Sequence, residues 1–217
     1  RRTEKLENLK YRLEDSHQIN VHVITQDLLE ENAAQKVFDK VEEIGVPVDY
    51  LINNAGFGDN TLFKNSDRDR INKMMILNMI TLTDLCSLYT QQWVKNETPG
   101  KIMNVASTAA FQAVPYFTVY AATKAYVLSL SEGLALELKN DGITVTCLCP
   151  GPTKTEFASN SQMDQELANH KLLPTAMECA KYGYRKMLRG QTVAVHGALN
   201  KVGAGSGKIL PRKIVAD

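Results

Sequence analysis

Tyr120 and Lys124 stand four residues apart in Thr118-Val-Tyr-Ala-Ala-Thr-Lys124, so on a helix both side chains leave one face, a turn apart. An ammonium beside a phenol favours the phenolate. It is expected to bring the Tyr120 pKa down from about 10 towards the range of a general acid or base. Spacing alone does not single out this pair, because Tyr182 and Lys186 repeat it. What precedes each tyrosine separates them. Thirteen residues before Tyr120 lies Ser107, just past the run Lys101-Ile-Met-Asn-Val105, where a strand end would present a hydroxyl at the edge of a sheet. Thirteen before Tyr182 lies Asn169, in a polar stretch with no strand ahead of it. The first set reads as a proton donor with a hydroxyl and a cation beside it, the second as an ordinary helix residue.

These residues must be held by some frame, and the apolar pattern predicts one. Val21–Thr25, Tyr50–Asn53, Lys101–Val105, Ile143–Cys149 and Thr192–Val195 read as strands. Between them run charged stretches with apolar residues three or four apart, such as Leu6, Leu9 and Leu13, then Ala34, Val37, Val41 and Ile44. Alternation of this kind predicts an α/β fold, a doubly wound parallel sheet in three layers, and the nearly all-apolar strands fit burial on both faces. No repeat or linker divides residues 1–217, which read as a single domain. Gly203-Ala-Gly-Ser-Gly-Lys208 has Ile209 after the Lys where a phosphate loop needs Ser or Thr, so it reads as a loop. Phe157 to Pro174, rich in Ser, Asn and Gln, also reads as a loop.

Composition narrows the function classes. With 25 Lys+Arg against 24 Asp+Glu the net charge is +1, too weak a field to favour nucleic acid. No apolar run reaches the roughly 18 residues of a membrane span. Arg1-Arg2-Thr3-Glu4-Lys5 has no apolar stretch behind it, so no signal peptide is read there and a cytoplasmic location is expected. His17, His22, His170 and His196 are scattered, and no metal site is expected. Cys147 and Cys149 share one face of a strand and read as small buried apolar groups, and Met74, Met75 and Met79 read as core.

The ordered motifs resemble those of the short-chain dehydrogenase/reductases, in their single-domain branch. Asn53-Asn-Ala-Gly56 matches N-N-A-G at a strand end, and Asn78 in Ile76-Leu-Asn-Met-Ile80 matches the active-site Asn. Ser107 with Tyr120-Ala-Ala-Thr-Lys124 matches the catalytic Ser and Y-x-x-x-K. Pro150-Gly151 with Thr155 matches P-G-x-x-x-T, and Asp27 matches the acid that contacts adenine. The resemblance implies a Rossmann-like fold and an oxidoreductase interconverting a carbonyl and a secondary alcohol with a nicotinamide cofactor. Tyr120 would be the acid and Ser107 would hold the carbonyl oxygen. Lys124 would tune Tyr120 and bind the nicotinamide ribose, and Asn78 would hold a relay water. Asp27, Leu28, Asn54, Ala55, Gly56, Tyr120, Lys124, Pro150, Gly151, Thr153 and Thr155 form the implied cofactor set. Gly151 would let backbone approach the nicotinamide without an obstructing Cβ.

The match also departs from the family. Its opening strand, Gly-rich turn T-G-x-x-x-G-x-G, helix and second strand are absent here, leaving the sheet incomplete at the N-terminus. The expectation is that the native gene product carries them. Arg1 and Arg2 then fall just past the missing second strand, where NADP-preferring relatives hold the 2′-phosphate. NADP is accordingly favoured over NAD. Phe57, Phe111, Phe117 and Phe157 near the motifs imply an apolar carbonyl or alcohol substrate, and the resemblance implies a homodimer or homotetramer paired through the helices of Asn78 and Tyr120. Ala121, Ala122, Ala125, Leu128 and Ser129 would allow those helices to approach. The alternative is a binding or scaffold protein that kept the fold without catalysis.

Overall fold

The computed structural model describes residues 2–161 and 173–206. They divide into two compact units, up to Pro47 and from Val48 onward. In the first, helix α1 (Thr3–His17) places Glu4 in its first turn and His17 in its last, both matched to the helix dipole. It stops where Gln18 turns left-handed (φ 53°) and donates its N–H to the Glu14 carbonyl. Helix α2 (Ala33–Ile44) buries Ala33 and Ala34, and ends at Gly45 (φ 73°), whose N–H reaches the Val41 and Glu42 carbonyls. Val21–Thr25, expected as a strand, forms none. A strand exists only through its ladder, and no described segment pairs with this one.

The second unit is built on four parallel strands in the spatial order β1 (Tyr50–Asn53), β2 (Gly100–Val105), β3 (Ile143–Cys149), β4 (Val193–Val195). Register pairs Asn53 with Asn104, Asn104 with Cys147 and Leu148 with Ala194. Side chains alternate between faces, and helices cover both. On one lie α4 (Thr81–Lys95) and α5 (Thr118–Glu137), the latter burying Tyr120, Lys124, Val127 and Ser131, a 4-3-4 stripe. On the other lies α7 (Ala176–Leu188), started by a Thr175/Glu178 capping box. Its Gly183 sits so close to β3 that a Cβ there would come within 2.5 Å of the Leu148 side chain. Met103, Leu148, Cys179, Met187 and Ala194 fill the core beneath it.

Polar groups inside the α4/α5 layer are joined to one another. Asn53 Nδ2 donates to Asn104 Oδ1 (2.9 Å), Asn104 Nδ2 to Ser131 Oγ (3.0 Å), and Ser131 Oγ to the Val127 carbonyl (2.7 Å). Cys86 joins the same cluster, and burial pushes its thiol up to about 11. Such a network ties β1, β2 and α5 into one arrangement, because a slip would leave buried donors unpaired. At the amino end of β2, Trp93 of α4 covers Gly100, where a Cβ would lie 2.3 Å from the indole, and Trp93 Nε1 donates to the Val48 carbonyl (2.7 Å).

Two further elements differ from the sequence reading. Helix α3 (Arg68–Met75), capped by Asp67, runs into α4 through one π-turn, Ile76–Ile80. Gly203 to Ser206, read as loop, close helix α8 (Ala198–Ser206), which buries Ala204 and leaves Leu199 and Val202 exposed. Of Phe157 to Pro174, the part within the described residues begins with the one-turn helix α6 (Phe157–Asn160). No described helix is long and apolar enough to cross a membrane.

Candidate active site

A cavity of about 1300 Å³ opens at the carboxyl ends of β1, β2 and β3. That is where side chains from successive strand ends converge in an open parallel sheet. Asn54, Gly56, Ser107, Tyr120, Lys124, Pro150, Gly151, Thr153 and Thr155 all line it, so residues spread over a hundred positions of sequence meet in one place. Phe117 and Phe157 also line it, whereas Phe57 and Phe111 do not.

Ser107 is delivered by the continuation of β2. Ala106 N–H and Thr108 N–H donate to the Leu148 and Pro150 carbonyls (both 2.8 Å), carrying the β2–β3 pairing past the strand ends. Ser107 is extended, and its Oγ accepts from Ala109 N (3.1 Å), starting the 3-10 turn Thr108–Phe111. Tyr120, from α5, lines the same cavity as Ser107. Its ring lies between Phe117 and Phe157, with centroids at 5.6 and 5.4 Å. Lys124 Nζ donates to the Val105 carbonyl (2.8 Å) and lies 5.7 Å from the Tyr120 ring centre.

The electrostatics correct the sequence reading. Burial drives the Tyr120 phenol up to about 12, and the neighbouring Ser107 hydroxyl only partly opposes it. Lys124 does not bring it down because its ammonium is turned to the Val105 carbonyl and to the ring face. Lys124 itself is 5% exposed, and burial lowers it to about 8 against the pull of Cys147 and Cys149. Those thiols lie 3.8 Å apart, both fully buried, and Cys147 together with burial pushes Cys149 far up.

Asn78 is fully buried behind the cavity in the π-turn. One extra residue in a helical turn re-aims the side chain and frees backbone groups, which is why such turns recur at functional sites. The amide is committed to protein partners. Its Nδ2 donates to the Phe57 carbonyl (3.0 Å) and Thr123 Oγ1 (3.1 Å), and Oδ1 accepts from Phe57 N (3.2 Å). Thr123 in turn donates to the Tyr120 carbonyl (2.8 Å), so Asn78 bridges the turn after β1 to the helix of Tyr120. Gly56 is required in that turn: a Cβ there would come within 2.9 Å of Asn78 Oδ1 and 3.4 Å of Lys124 Nζ.

Other implied residues settle in local bonds. Thr153 Oγ1 donates to the Gly151 carbonyl (2.9 Å), and Thr155 Oγ1 accepts from Phe157 N (3.1 Å). Gly151 does allow a close approach, but the approaching group is the Asn200 amide of α8, 2.3 Å from where a Cβ would sit. The sequence reading missed Asn200, Thr123 and the Gly58–Asp59 pair, and only Thr123, inside Tyr120-Ala-Ala-Thr-Lys124, had a motif to mark it. Ala55 is exposed in the same turn. Arg2 and the Asp27–Leu28 pair belong to the first unit. Arg2 precedes α1, and Asp27 Oδ1 accepts from Leu29 N (3.0 Å) in a tight turn. Arg1 lies outside the described residues. Among the described residues no group of three His, Cys, Asp or Glu could hold a metal.

Comparison with known proteins gives the class. The family model described as short chain dehydrogenase matches residues 1–166, and the chain belongs to that family. It is 32% identical over 136 residues to "Uncharacterized oxidoreductase YvrD" of Bacillus subtilis (strain 168), covering 63% of this chain and 51% of that one. A solved short-chain dehydrogenase from Sphingobium yanoikuyae in complex with NADPH superposes with TM-score 0.83 at 28% identity, over 96% of this chain and 82% of that one. The bulky-bulky ketone specific alcohol dehydrogenase from Comamonas testosteroni superposes with TM-score 0.76 at 25% identity, over 96% and 82%. The chain spans about half the length of the curated relatives YvrD and the Picea abies short-chain type dehydrogenase/reductase, 51% and 53%.

Proposed function

We propose that this protein interconverts a carbonyl and a secondary alcohol, with NADP(H) as cofactor and Tyr120 as the general acid or base. The observation that carries this reading is the convergence of Ser107, Tyr120 and Lys124 on one cavity, with the Lys124 ammonium 5.7 Å from the Tyr120 ring centre. A bound nicotinamide supplies and accepts the hydride. The chain's own groups do the rest. Ser107 Oγ donates to the carbonyl oxygen as charge grows on it, and Tyr120 delivers the proton to that atom. A phenol held near 12 keeps its proton at neutral pH, which suits the reducing direction. Asn78 positions rather than reacts, through Phe57 and Thr123.

The site fits a nicotinamide nucleotide on this chain's chemistry. Lys124 brings a three-donor ammonium to the cavity with the Val105 carbonyl as acceptor, which leaves donors for a ribose diol. Gly56 keeps the wall beside that ammonium clear. Asp27, Leu28, Asn54, Ala55, Pro150, Gly151, Thr153 and Thr155 complete the proposed cofactor set, and Arg1 and Arg2 are proposed to hold the 2′-phosphate. The solved relative from Sphingobium yanoikuyae is in complex with NADPH, which supports a nicotinamide cofactor, and the preference for NADP over NAD rests on Arg1 and Arg2. An apolar ketone is the proposed substrate, supported by Phe117 and Phe157 in the wall and by the bulky ketones of the Comamonas testosteroni relative. The proposed assembly is a homodimer or homotetramer paired through the helices of Asn78 and Tyr120, where Ala122, Ala125 and Ser129 of α5 are exposed and Ala121 is buried, and the proposed location is the cytoplasm.

The test is ketone-dependent oxidation of NADPH by the full chain and by Tyr120→Phe. The reading expects turnover in the first and near-complete loss in the second, with NADPH preferred to NADH until Arg1 and Arg2 are both made Ala. That preference should also shrink with added salt. Retained turnover in the Phe variant would refute the mechanism, and ketone binding without turnover in the native chain would favour a non-catalytic role.

A further inference from the structure

We propose that Arg70 is a positioning residue that clamps Phe157 against Tyr120 and thereby sets the width of the substrate cavity at the reacting hydroxyl. The inference rests on Tyr120 being the proton donor, and it concerns a residue that no motif marks. Arg70 projects from α3 across to two other segments. Its Nε donates to Asp59 Oδ1 (2.7 Å), and its Nη2 donates to the carbonyls of Gly58 (3.1 Å) and Asn160 (2.6 Å). The guanidinium also lies 5.3 Å over the Phe57 ring. One planar fork thus joins α3, the turn after β1 and the end of α6, a geometry an ammonium cannot reproduce.

The consequence for Phe157 follows from the size of α6. A helix of four residues has no stability of its own, so its place is set by its contacts. Two hydrogen bonds hold its carboxyl end: Arg70 Nη2 to the Asn160 carbonyl, and Asn60 N to the Ser161 carbonyl (2.9 Å). Ser161 is fully buried there. Phe157, at the other end, is wedged between Gly58 and Tyr120. A Cβ on Gly58 would lie 2.9 Å from Phe157 Cζ, and the ring is 5.4 Å from that of Tyr120. Asp59, with only 6% of its side chain exposed, keeps the fork in place because the carboxylate is buried with it. Loosening Arg70 therefore lets Phe157 retreat and widens the cavity, and bulk added at Gly58 drives the ring towards Tyr120 and narrows it.

The experiment compares R70M, R70K, G58A and F157A in the full chain, using NADPH with one compact methyl ketone and one bulky diaryl ketone. R70M should move the kcat/KM ratio towards the bulky ketone by about tenfold, through KM with kcat little changed, and R70K should fall between it and the native chain. G58A should move the ratio the other way. In the F157A background R70M should add nothing, since both act on one ring. Hydrogen exchange reads the clamp without activity: Asn60 and Ser161 amides should exchange about tenfold faster in R70M and R70K while α5 amides do not. An unchanged ratio, multiplying effects in the double variant, or unchanged exchange would each overturn the clamp. If R70M does not fold, R70K and G58A decide it. A native chain inert towards every ketone would overturn the dehydrogenase reading, and the exchange result would still judge the clamp.

Discussion

Helices α5 and α7 each carry a Tyr-x-x-x-Lys pair, and in both the ammonium lies over its own tyrosine ring, at 5.7 Å for Tyr120 and 5.5 Å for Tyr182. The local geometry is the same; the destination of the hydroxyl is not. Tyr182 donates to the Val195 carbonyl of β4 (2.9 Å), with the His196 ring tilted against it at 5.1 Å and Lys201 as a second cation at 5.7 Å. Its phenol fastens a helix to a strand. Tyr120 meets Ser107 beyond the end of β2 and faces the cavity. Helical spacing creates the pair, and the sheet edge decides whether it can do chemistry.

Phenol replacement is the sharpest way to break that comparison. Tyr120→Phe should lower kcat by about 10²–10⁴ with the fold intact, whereas Tyr182→Phe should stay within about twofold. The second variant should instead lose about 1 kcal/mol of stability in denaturant titration, because the Val195 carbonyl loses its donor. Equal damage to turnover by both changes would erase the distinction.

Lys124 offers a pH-dependent test. Its folded pKa, about 8, lies below the ordinary 10.5, so between those values the unfolded chain binds more protons and stability rises with pH. The rise should be on the order of 3 kcal/mol at most, and should reverse above about 10, where Tyr120 keeps its proton when folded and loses it when unfolded. Denaturant midpoints across pH 7–11 would show the slope, and Lys124→Met should abolish its rising limb.

Asn78→Ala removes both amide donations, leaving the Phe57 backbone without its partners. It should cost about 1–3 kcal/mol and reduce turnover as Tyr120 loses its brace through Thr123. The smallest effect belongs to Lys186→Met, on the half-buried cation of the second pair. Its stability should change by less than about 0.5 kcal/mol, with no new slope in pH.

Much of this was legible in the sequence where a local pattern carried the information. Four of five expected strands are present, because Ile102, Val145 and their neighbours form runs buried on both faces. Val21–Thr25 has the same composition, and composition cannot say whether a partner strand lies alongside. The residues of the candidate site were named from motif order, and nine of them share one cavity. Asn54, Gly56, Ser107, Pro150, Gly151, Thr153 and Thr155 follow strand ends, Tyr120 and Lys124 come from α5, and Asn78 and Ala55 do not line it. Distances and directions were not legible. Whether Lys124 points at a hydroxyl or a carbonyl is decided by Val105. The π-turn of Asn78 and the fork of Arg70 depend on segments far apart in sequence, which no periodicity encodes.

Trp93 is the only tryptophan in the sequence, and it is held in the core by Gly100 and the Val48 carbonyl. Gly100 and Ser107 are the two ends of one extended run, roughly 20 Å apart at strand rise. Intrinsic emission excited at the indole therefore reports the integrity of the sheet, from a place remote from the reacting groups. Any substitution around Tyr120 can be screened by colour: a blue emission maximum with lost turnover marks a chemical defect, and a red shift marks an unfolded one.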